Sequence, residues 1–519
     1  MTLSTRVPGW VRRLTGAAPA VVVGAALLSG CAVGPDFRRP APPDLVSYTR
    51  PSLAPTTASS EIQGGEAQRF VPEQQLSPHW WTLFESPSLN ALIEKALRAS
   101  PTLIAAEASL RQAWELVYAQ QGAFFPTVQA GFTAAGQRTS ATLSPVLGGT
   151  NPASTFALYT TQGTLAFTPD IFGGNRRQVE ALVGLAEAQR FQLEATHLTL
   201  TSSLAAAAIQ EASLRAQIAA TEEIIAISTR SLALFRRQFE LGAVARLDVA
   251  AQEAALAQVQ QALPPLQKQL EQTRNLLAVL AGRFPSDTSE ERFELAGLRL
   301  PQELPVGLPS TLVEHRPDVR VAEAQLHAAS AQIGVALANR LPQFTITAAG
   351  GGQSTSFAQM FANGNPFWSA AGNVLQTLFD AGTLRHRQRA AEAAFEQAAA
   401  QYRGTVLSAF QNVADALHAL QADAETFKAA VSAEQAAKVS LDLTLAAQQL
   451  GAVSYLAVLT AQQTYRQALL TRTQAQAARL ADTVALFQAL GGDWWNRSDV
   501  DADLVRGKWG HTLGVVRDD

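Results

Sequence analysis

Apolar and polar residues follow one another along this chain with two different periods. Over 101–122, and again over 317–339, the pattern predicts an α-helix that stops before a proline. Alternation with a period of two follows at 127–134 and 344–348, which is typical of a strand with one apolar face. We therefore expect a strand after each of these helices.

Each strand is followed by a loop rich in Gly, Ser, Thr, Pro and Asn, over 137–154 and 354–366. Return strands are predicted at 159–167 and 367–375. Each half of the chain thus holds one β-hairpin with a long loop, so that the chain supplies four strands.

Two proline-free stretches, 175–241 and 383–450, are rich in Ala, Leu, Gln and Glu. At 1.5 Å per residue each predicts a helix of about 100 Å, longer than a globular domain holds. A glycine turn and a returning helix follow each stretch, ending near Gly282 and Gly492. In the first returning helix we expect Pro264-Pro265 to produce a kink or a loop.

The order of elements repeats because the sequence itself is duplicated. Two structural copies of one unit are therefore expected. The matching segments are 101–108 with 317–324, Phe125-Pro126 with Leu341-Pro342 in the same register, and 241–247 with 450–456.

The N-terminus has the layout of a secretory signal, in which Arg12 and Arg13 precede an apolar run over 17–28. The run is too short to span a membrane comfortably, and it ends in Leu28-Ser29-Gly30-Cys31, which resembles a bacterial lipoprotein box. Cys31 is the only cysteine, so no intramolecular disulfide can form. We predict that Cys31 carries a covalent lipid; the alternative is a small apolar residue of the signal. Ala32 follows, which favours delivery to the outer membrane.

These boundaries divide the chain into six parts. They are a lipoprotein signal peptide at 1–30, a lipid-anchored extended tether at 31–79 with structure beginning near Trp80, a first repeat at 80–282, an equatorial linker at 283–316, a second repeat at 317–492 and a C-terminal tail at 493–519.

Composition excludes several classes of function. With 47% apolar residues the chain can bury a large core, and a net charge of −3 gives no reason to expect a nucleic-acid partner. The seven histidines lack the spacing of metal ligands, and no nucleophile with a base is apparent. We therefore expect no enzyme activity, no metal and no cofactor apart from the lipid.

Four strands cannot close a barrel, and a sheet with open edges cannot stand in hydrocarbon. Three chains would supply about twelve strands, the size of an aqueous pore. The predicted fold is an α+β membrane protein with internal duplication: a trimeric 12-stranded β-barrel, four strands per chain, continued by a long α-helical barrel.

Several motifs together resemble the NodT-type lipoproteins among the TolC-like outer-membrane factors. The resemblance implies a homotrimer in the outer membrane whose helical barrel lies in the periplasm. It also implies two partners, a periplasmic adaptor (membrane fusion protein) and an inner-membrane pump of the resistance-nodulation-division (RND) class. The motifs are Gly30-Cys31-Ala-Val-Gly-Pro-Asp-Phe37, Trp80-Trp81-Thr-Leu-Phe84, His315-Arg316-Pro317-Asp318, Leu341-Pro342-Gln-Phe344 and Ala489-Leu490-Gly491-Gly492.

The same resemblance implies that the two helical turns, at 242–248 and 451–460, close the periplasmic mouth. Relatives often carry aspartates in the second turn, where this chain has Ala457 and Thr460, so an acidic ring is not expected there. An apolar ring of Leu456 is the alternative closure. Asp248 keeps a charge at the first turn, unless it pairs with Arg246 or is simply solvated. The candidate gate residues are Arg246, Leu247, Asp248, Tyr455, Leu456 and Thr460.

The sequence predicts a passive exit duct whose energy comes from the partner pump. A lipid-anchored coiled-coil scaffold or adaptor without a pore is the alternative, since paired long helices also describe such proteins. The duplicated hairpins favour the duct. The exported compound stays open, because a wide pore carries little information about its cargo.

The Cys31 prediction can be tested directly. Replacing Cys31 by Ser should abolish lipid attachment, because the thiol is the acyl acceptor, while folding survives if strands hold the chain in the membrane. Metabolic labelling with palmitate measures the attachment. Label that persists at the wild-type level in the mutant would refute the lipoprotein assignment.

Overall fold

A computed structural model gives the structure of residues 32–45, 47–50, 53–72, 76–138, 155–287, 291–307, 309–362 and 364–497. The predicted signal peptide and Cys31 lie outside the described residues. So do the greater part of the first hairpin loop, at 139–154, and the tail from residue 498 onward.

Eight α-helices and six strands are named here in chain order. The helices are α1 (Pro87–Ala99), α2 (Pro101–Gln121), α3 (Gly174–Glu240), α4 (Arg246–Leu280), α5 (Pro309–His315), α6 (Pro317–Ala338), α7 (Thr383–Gln449) and α8 (Tyr455–Ala489). The strands are β1 (Arg69–Pro72), β2 (Thr127–Arg138), β3 (Thr155–Phe167), β4 (Glu303–Val306), β5 (Gln343–Ser354) and β6 (Pro366–Leu375).

The four predicted hairpin strands form one antiparallel sheet in the order β2-β3-β5-β6. Residues that face each other across strands point to the same side, so the register sorts the side chains into two faces. One face is polar, with Gln129 opposite Thr164 and Thr133 opposite Thr160. The other face is apolar, and the pairs on it include Val128 opposite Leu165, Phe167 opposite Ile346, and Phe344 opposite Val374.

The apolar face is largely uncovered in the single chain. The exposed fraction is 75% for Val128, 54% for Phe132 and 47% for Ile346. Among the described residues β2 and β6 each pair with one strand only. The sheet therefore presents both an apolar face and two unpaired edges.

A second, smaller sheet lies in segments that the sequence assigns to the tether and the linker. Strand β1 pairs in parallel with β4, with Phe70 opposite Leu304. The expectation that regular structure begins near Trp80 is therefore wrong. A four-residue strand has no detectable period, and β1 is held by a partner more than two hundred residues away in sequence.

The two long helices, α3 and α7, contain 67 residues each and match the predicted bounds to within one residue. The returning helix α4 continues through Pro264-Pro265, so of the two expected outcomes, a kink or a loop, the loop does not occur. Both prolines, and Gln260 and Gln261 whose carbonyls lose their helical donors, are exposed to water. No helix in the described part of the chain combines the length and apolarity that crossing a membrane requires.

The described chain forms two compact units. The first comprises residues within 1–39, 112–187 and 324–400 and contains the four-stranded sheet. The second comprises the remainder, with the two helical turns and a core of Trp80, Trp81, Phe84 and Phe487, each at most 2% exposed. Burying each of these rings stabilises the unit by roughly 1.5–3 kcal/mol.

The tether is fastened to the second unit by a buried arginine. Arg479, 1% exposed, donates to the carbonyl of Gly64 at 2.6 Å and to that of Glu66 at 2.8 Å. Close to it, Asp482 of α8 is hydrogen-bonded to Asp423 of α7. Burial, followed by this carboxyl neighbour, raises the pKa of Asp482 to about 7.

The pair of carboxyl groups predicts how stability depends on pH. Because the pKa of Asp482 is higher in the folded chain than in the unfolded chain, its contribution is greatest below its ordinary pKa and is lost as pH rises through about 7. Arg479 lies close enough to Asp423 and Glu66 for both carboxyl groups to act on its pKa. Asp482→Asn should therefore raise the melting temperature at pH 8 by roughly 2–4 °C and leave it nearly unchanged at pH 4.

Thermal unfolding in detergent, followed by circular dichroism at the two pH values, measures this difference. Asp415→Asn, at an exposed position of α7, is the matched control and should shift neither melting temperature. An equal gain at both pH values would contradict the raised pKa of Asp482.

Candidate functional site

The two helical turns have the same backbone geometry. Two residues after α3 and α7 end, the chain passes through a glycine with positive φ, Gly242 at +73° and Gly451 at +72°. In each turn the next amide reaches back five residues, from Ala243 to the carbonyl of Gln238 at 2.8 Å in the first turn. These bonds satisfy the last carbonyls of the helix, and glycine adopts this conformation without strain. The turns are therefore copies of one structural motif.

The helices that leave the turns begin differently. In the first turn the carboxylate of Asp248 accepts a hydrogen bond at 3.0 Å from the amide of Ala245, just before α4. In the second turn Ser454 precedes α8 and makes no side-chain cap. Asp248 thus stabilises the N-terminus of α4, where a negative charge is also favoured by the helix dipole.

Tyr455, in the second turn, is buried and contacts residues of the first helical hairpin. It is 8% exposed, and its ring centroid lies 4.0 Å from that of Phe235 on α3. Its hydroxyl donates to Oε1 of Gln252 on α4, and Gln252 in turn donates to the carbonyl of Ser228 at 2.8 Å. Burial, together with the nearby Asp248, raises the pKa of Tyr455, so the hydroxyl keeps its proton.

Beside this buried contact, two leucines at equivalent positions of the turns face outward. Leu247 is 77% exposed and Leu456 is 70% exposed. Thr460 lies one turn further along α8 and donates to the carbonyl of Leu456 at 2.9 Å. Leu241 and Leu450, directly before the two turns, are also exposed, so each turn region offers large apolar side chains to a neighbouring molecule.

Charged residues at the turns pair within the chain. The carboxylate of Glu253 forms an ion pair with the guanidinium of Arg236 at 2.9 Å, and it lies 3.9 Å from that of Arg246. The sequence left open whether Asp248 pairs with Arg246. In the structure Asp248 instead caps α4, and Arg246 lies nearer Glu253. Both ion pairs are solvent-exposed, so each contributes little to stability.

The structure thus sorts the six candidate gate residues into three kinds. Leu247 and Leu456 are exposed apolar groups, Tyr455 is a core residue, and the other three form contacts within their own hairpin. Phe235 and Gln252 were not identified from the sequence. Only one weak sequence signal points to the contact of Phe235 and Gln252 with Tyr455. The first copy has Arg246 where the second copy has this tyrosine.

Other chemistry-bearing residues form packing contacts. His315 stacks on Trp495 at 3.9 Å between ring centroids, and His197 lies 6.3 Å from the ring of Trp81. Within the described ranges no group of three or more His, Cys, Asp or Glu residues could hold a metal ion.

Comparison with known proteins agrees with this architecture. A family model described as outer membrane efflux protein matches residues 92–283 and 308–492. The pyoverdine export outer membrane protein OpmQ of Pseudomonas putida is 30% identical over 88% of this chain and 94% of its own length. The toluene efflux pump outer membrane protein TtgC of Pseudomonas putida is 28% identical over 92% of this chain and 96% of its own length.

A solved structure extends the likeness to the fold. The outer-membrane channel OprN matches with a TM-score of 0.79 and 26% identity, covering 89% of this chain and 100% of the OprN chain. The family model alone spans well over half of the present sequence. The chain belongs to the outer membrane efflux protein family.

Proposed function

We propose that three copies of this chain form the exit duct of a three-part export system and that the helical turns gate it. An inner-membrane pump of the RND class supplies the energy, and a periplasmic adaptor joins pump and duct. The observation that carries the proposal is the four-stranded sheet, which has one polar face, one apolar face and, within the described residues, two unpaired edges.

The edges determine the number of copies. Unpaired backbone amides and carbonyls cost several kcal/mol each in hydrocarbon, so β2 and β6 must find partners. Three sheets of four strands close into a barrel of about twelve, wide enough for a water-filled pore. The polar face would line that pore, and Val128, Phe132 and Ile346 would face lipid.

The internal duplication predicts how neighbouring copies pair. Within one chain β3 and β5 place Leu165 opposite Ala348. Val128 pairs with Leu165, and its counterpart Phe344 pairs with Val374, so Val374 is the counterpart of Leu165; the register of the repeat carries Ala348 onto Phe132. If the contact between copies repeats the contact within a copy, Val374 lies opposite Phe132 of the next subunit.

The gate would use the leucines at the turns. With three subunits around one axis, Leu247 and Leu456 would supply up to six apolar side chains at the periplasmic mouth, a constriction that disfavours water and ions. The buried contact of Tyr455 with Gln252 holds the two turns of each subunit together. Opening would then require the turns to separate from those of the neighbouring subunit.

Lipid attachment at Cys31 completes the proposal, since two or three acyl chains anchor a protein stably where a single chain does not. The two relatives described above are named for pyoverdine and for toluene, two different cargoes. We therefore assign substrate selection to the pump, and to this subunit a passive conduit.

Cross-linking tests the trimer. Phe132→Cys combined with Val374→Cys should form disulfides between subunits, giving covalent dimers and trimers on a denaturing gel after mild oxidation. Residues directly opposite each other on neighbouring strands have Cβ atoms about 4.5–5.5 Å apart, within reach of a disulfide after a small adjustment. Mass measurement in mild detergent should give three chains.

Gln129→Cys combined with Val374→Cys is the matched control, because Gln129 and Val374 belong to opposite faces of the sheet. It should cross-link much less. A monomer with full β content in mild detergent would contradict the trimer. A trimer that cross-links equally in both variants would instead contradict only the register.

Conductance tests the gate. Replacing Leu247 and Leu456 together by Ser removes the apolar ring, so single-channel conductance in a planar bilayer should rise at least about twofold at any salt concentration. Cells should also admit vancomycin at wild-type protein abundance. Leu407→Ser, at a similarly exposed position of α7 far from the turn, is the control and should leave both unchanged.

Asp248 needs two variants because it also caps a helix. Asp248→Ala should cost about 1 kcal/mol of stability, whereas Asp248→Asn keeps an acceptor and removes only the charge. If a charge helps to close the mouth, both variants conduct more, and high salt abolishes their difference from wild type.

Wild-type conductance of the double leucine variant would show that these turns are not the gate.

A further inference from the structure

Three arginines of the second copy lie where the four-stranded sheet gives way to helix. Arg385 and Arg389 are four residues apart near the start of α7, so their side chains share one side of that helix. Arg340 precedes β5 and donates to Oε1 of Gln388, the neighbour of Arg385 on the same helix surface. The carbonyl of Arg340 accepts a hydrogen bond at 3.2 Å from Gln376, the residue that follows β6. We call the three arginines the basic patch.

The positive charges of the basic patch are exposed and uncompensated. All three side chains are exposed to solvent, and none of them forms an ion pair with another residue in the described part of the chain. Two carboxylates belong to the same stretch, but both have other partners. Asp380 accepts hydrogen bonds from the first amides of α7, and Glu392 accepts one from the side chain of Gln388 at 2.8 Å. The patch therefore presents a net positive surface.

The first copy balances its charges at the equivalent positions. Helices α3 and α7 have the same length, so Arg176 corresponds to Arg385 and Glu180 corresponds to Arg389. Arg176 pairs with Asp170 at 3.3 Å, and Glu180 itself is an acid. The unbalanced charge is thus a property of the second copy, and the fold of the duplicated helix does not require it.

The same side of α3 indicates which way the basic patch faces. Residues 32–37 cover this side of α3, where the ring of Phe37 stacks on His327 and Nε2 of His327 lies 3.1 Å from Glu180. Under the proposed function the residue before this segment carries lipid, so the covered side of α3 faces outward and not into the pore. The basic patch lies on the corresponding side of α7, at the end of the sheet.

We infer that the basic patch binds the phosphate of an anionic phospholipid in the inner leaflet of the outer membrane. The inference rests on the proposed function, in which the apolar face of the sheet contacts lipid. Guanidinium groups bind phosphate oxygens in a planar, two-pronged geometry, and basic clusters at the level of the headgroups bind anionic lipids. Phe344 and Val374 face each other at this end of the apolar face, so the acyl chains of the same lipid can pack on them.

This site would act on the two strands that it adjoins. Arg340 leads into β5, and Gln376, which holds its carbonyl, leaves β6. A lipid phosphate bound by the basic patch therefore fixes the height of the second hairpin in the membrane.

Native mass spectrometry of the full-length protein in mild detergent, with added phosphatidylglycerol, tests the site. The wild type should retain phosphatidylglycerol in preference to phosphatidylcholine with the same acyl chains, at roughly one lipid per chain. Arg385→Gln combined with Arg389→Gln should weaken this retention about tenfold or more, because two phosphate ligands are lost. Both side chains are exposed, so the variant should fold and assemble like the wild type.

Arg387→Gln combined with Arg403→Gln is the matched control. It removes the same number of charges from exposed positions of α7. Arg387 lies about 200° around the helix from Arg385 and Arg389, and Arg403 lies on the side of Arg385 but about 27 Å further along α7. The control should retain phosphatidylglycerol within about twofold of the wild type. An equal loss in both double variants would overturn the site, because only net charge would then matter.

Two further outcomes would also overturn the inference. If the wild type retains phosphatidylcholine as well as phosphatidylglycerol, the phosphate has no charged receptor. If soluble glycerol 3-phosphate displaces phosphatidylglycerol at equal concentration, the patch is a site for free phosphate esters and not for a lipid.

Failure of the proposed function is read from the same spectra. A monomer that still prefers phosphatidylglycerol through Arg385 and Arg389 would refute the trimer and support the lipid site. A trimer without any preference among lipids would refute the lipid site alone.

Discussion

The backbone hydrogen bonds at the two edges of the four-stranded sheet are the constraint on which the rest of the structure depends. A protein of the outer membrane cannot leave β2 and β6 unpaired in hydrocarbon, and four strands are too few to close on themselves. The apolar face carrying Val128 and Phe132 adds a second demand, because in the single chain it is exposed to water. Both demands are met by further copies of the same chain in a membrane.

Internal duplication gives this protein two long helices and two helical turns with matching backbone geometry. The turn at Gly242 and the turn at Gly451 share their hydrogen bonds, and α3 and α7 have the same length. Some differences between the copies fall on single side chains, such as Arg246 in the first and Tyr455 in the second. Such positions carry asymmetric tasks, since a buried tyrosine can connect two hairpins that are otherwise alike.

Several polar contacts tie remote parts of the chain to the helices. Arg177 donates to the carbonyl of Val33, and Arg479 donates to the carbonyls of Gly64 and Glu66. In both places a buried guanidinium binds backbone oxygens of the N-terminal region, which has no helix of its own among the described residues before Trp80. An extended segment without periodic apolar residues can be positioned in this way, because arginine offers five donors in a fixed plane.

The sequence by itself determined the elements and their duplication, because the period of apolar residues, the glycine turns and the prolines act locally; the predicted bounds of α3 and α7 are correct to within one residue. It also predicted the two faces of the sheet, since alternation fixes which side chains share a face. Only the tertiary structure decided that Tyr455 is buried while its neighbour Leu456 is exposed, that Asp248 caps a helix, that Val33 is hydrogen-bonded to Phe172 and that β1 pairs with β4. Each of these depends on a partner distant in sequence or on the exact start of a helix, and a local pattern carries no information about either.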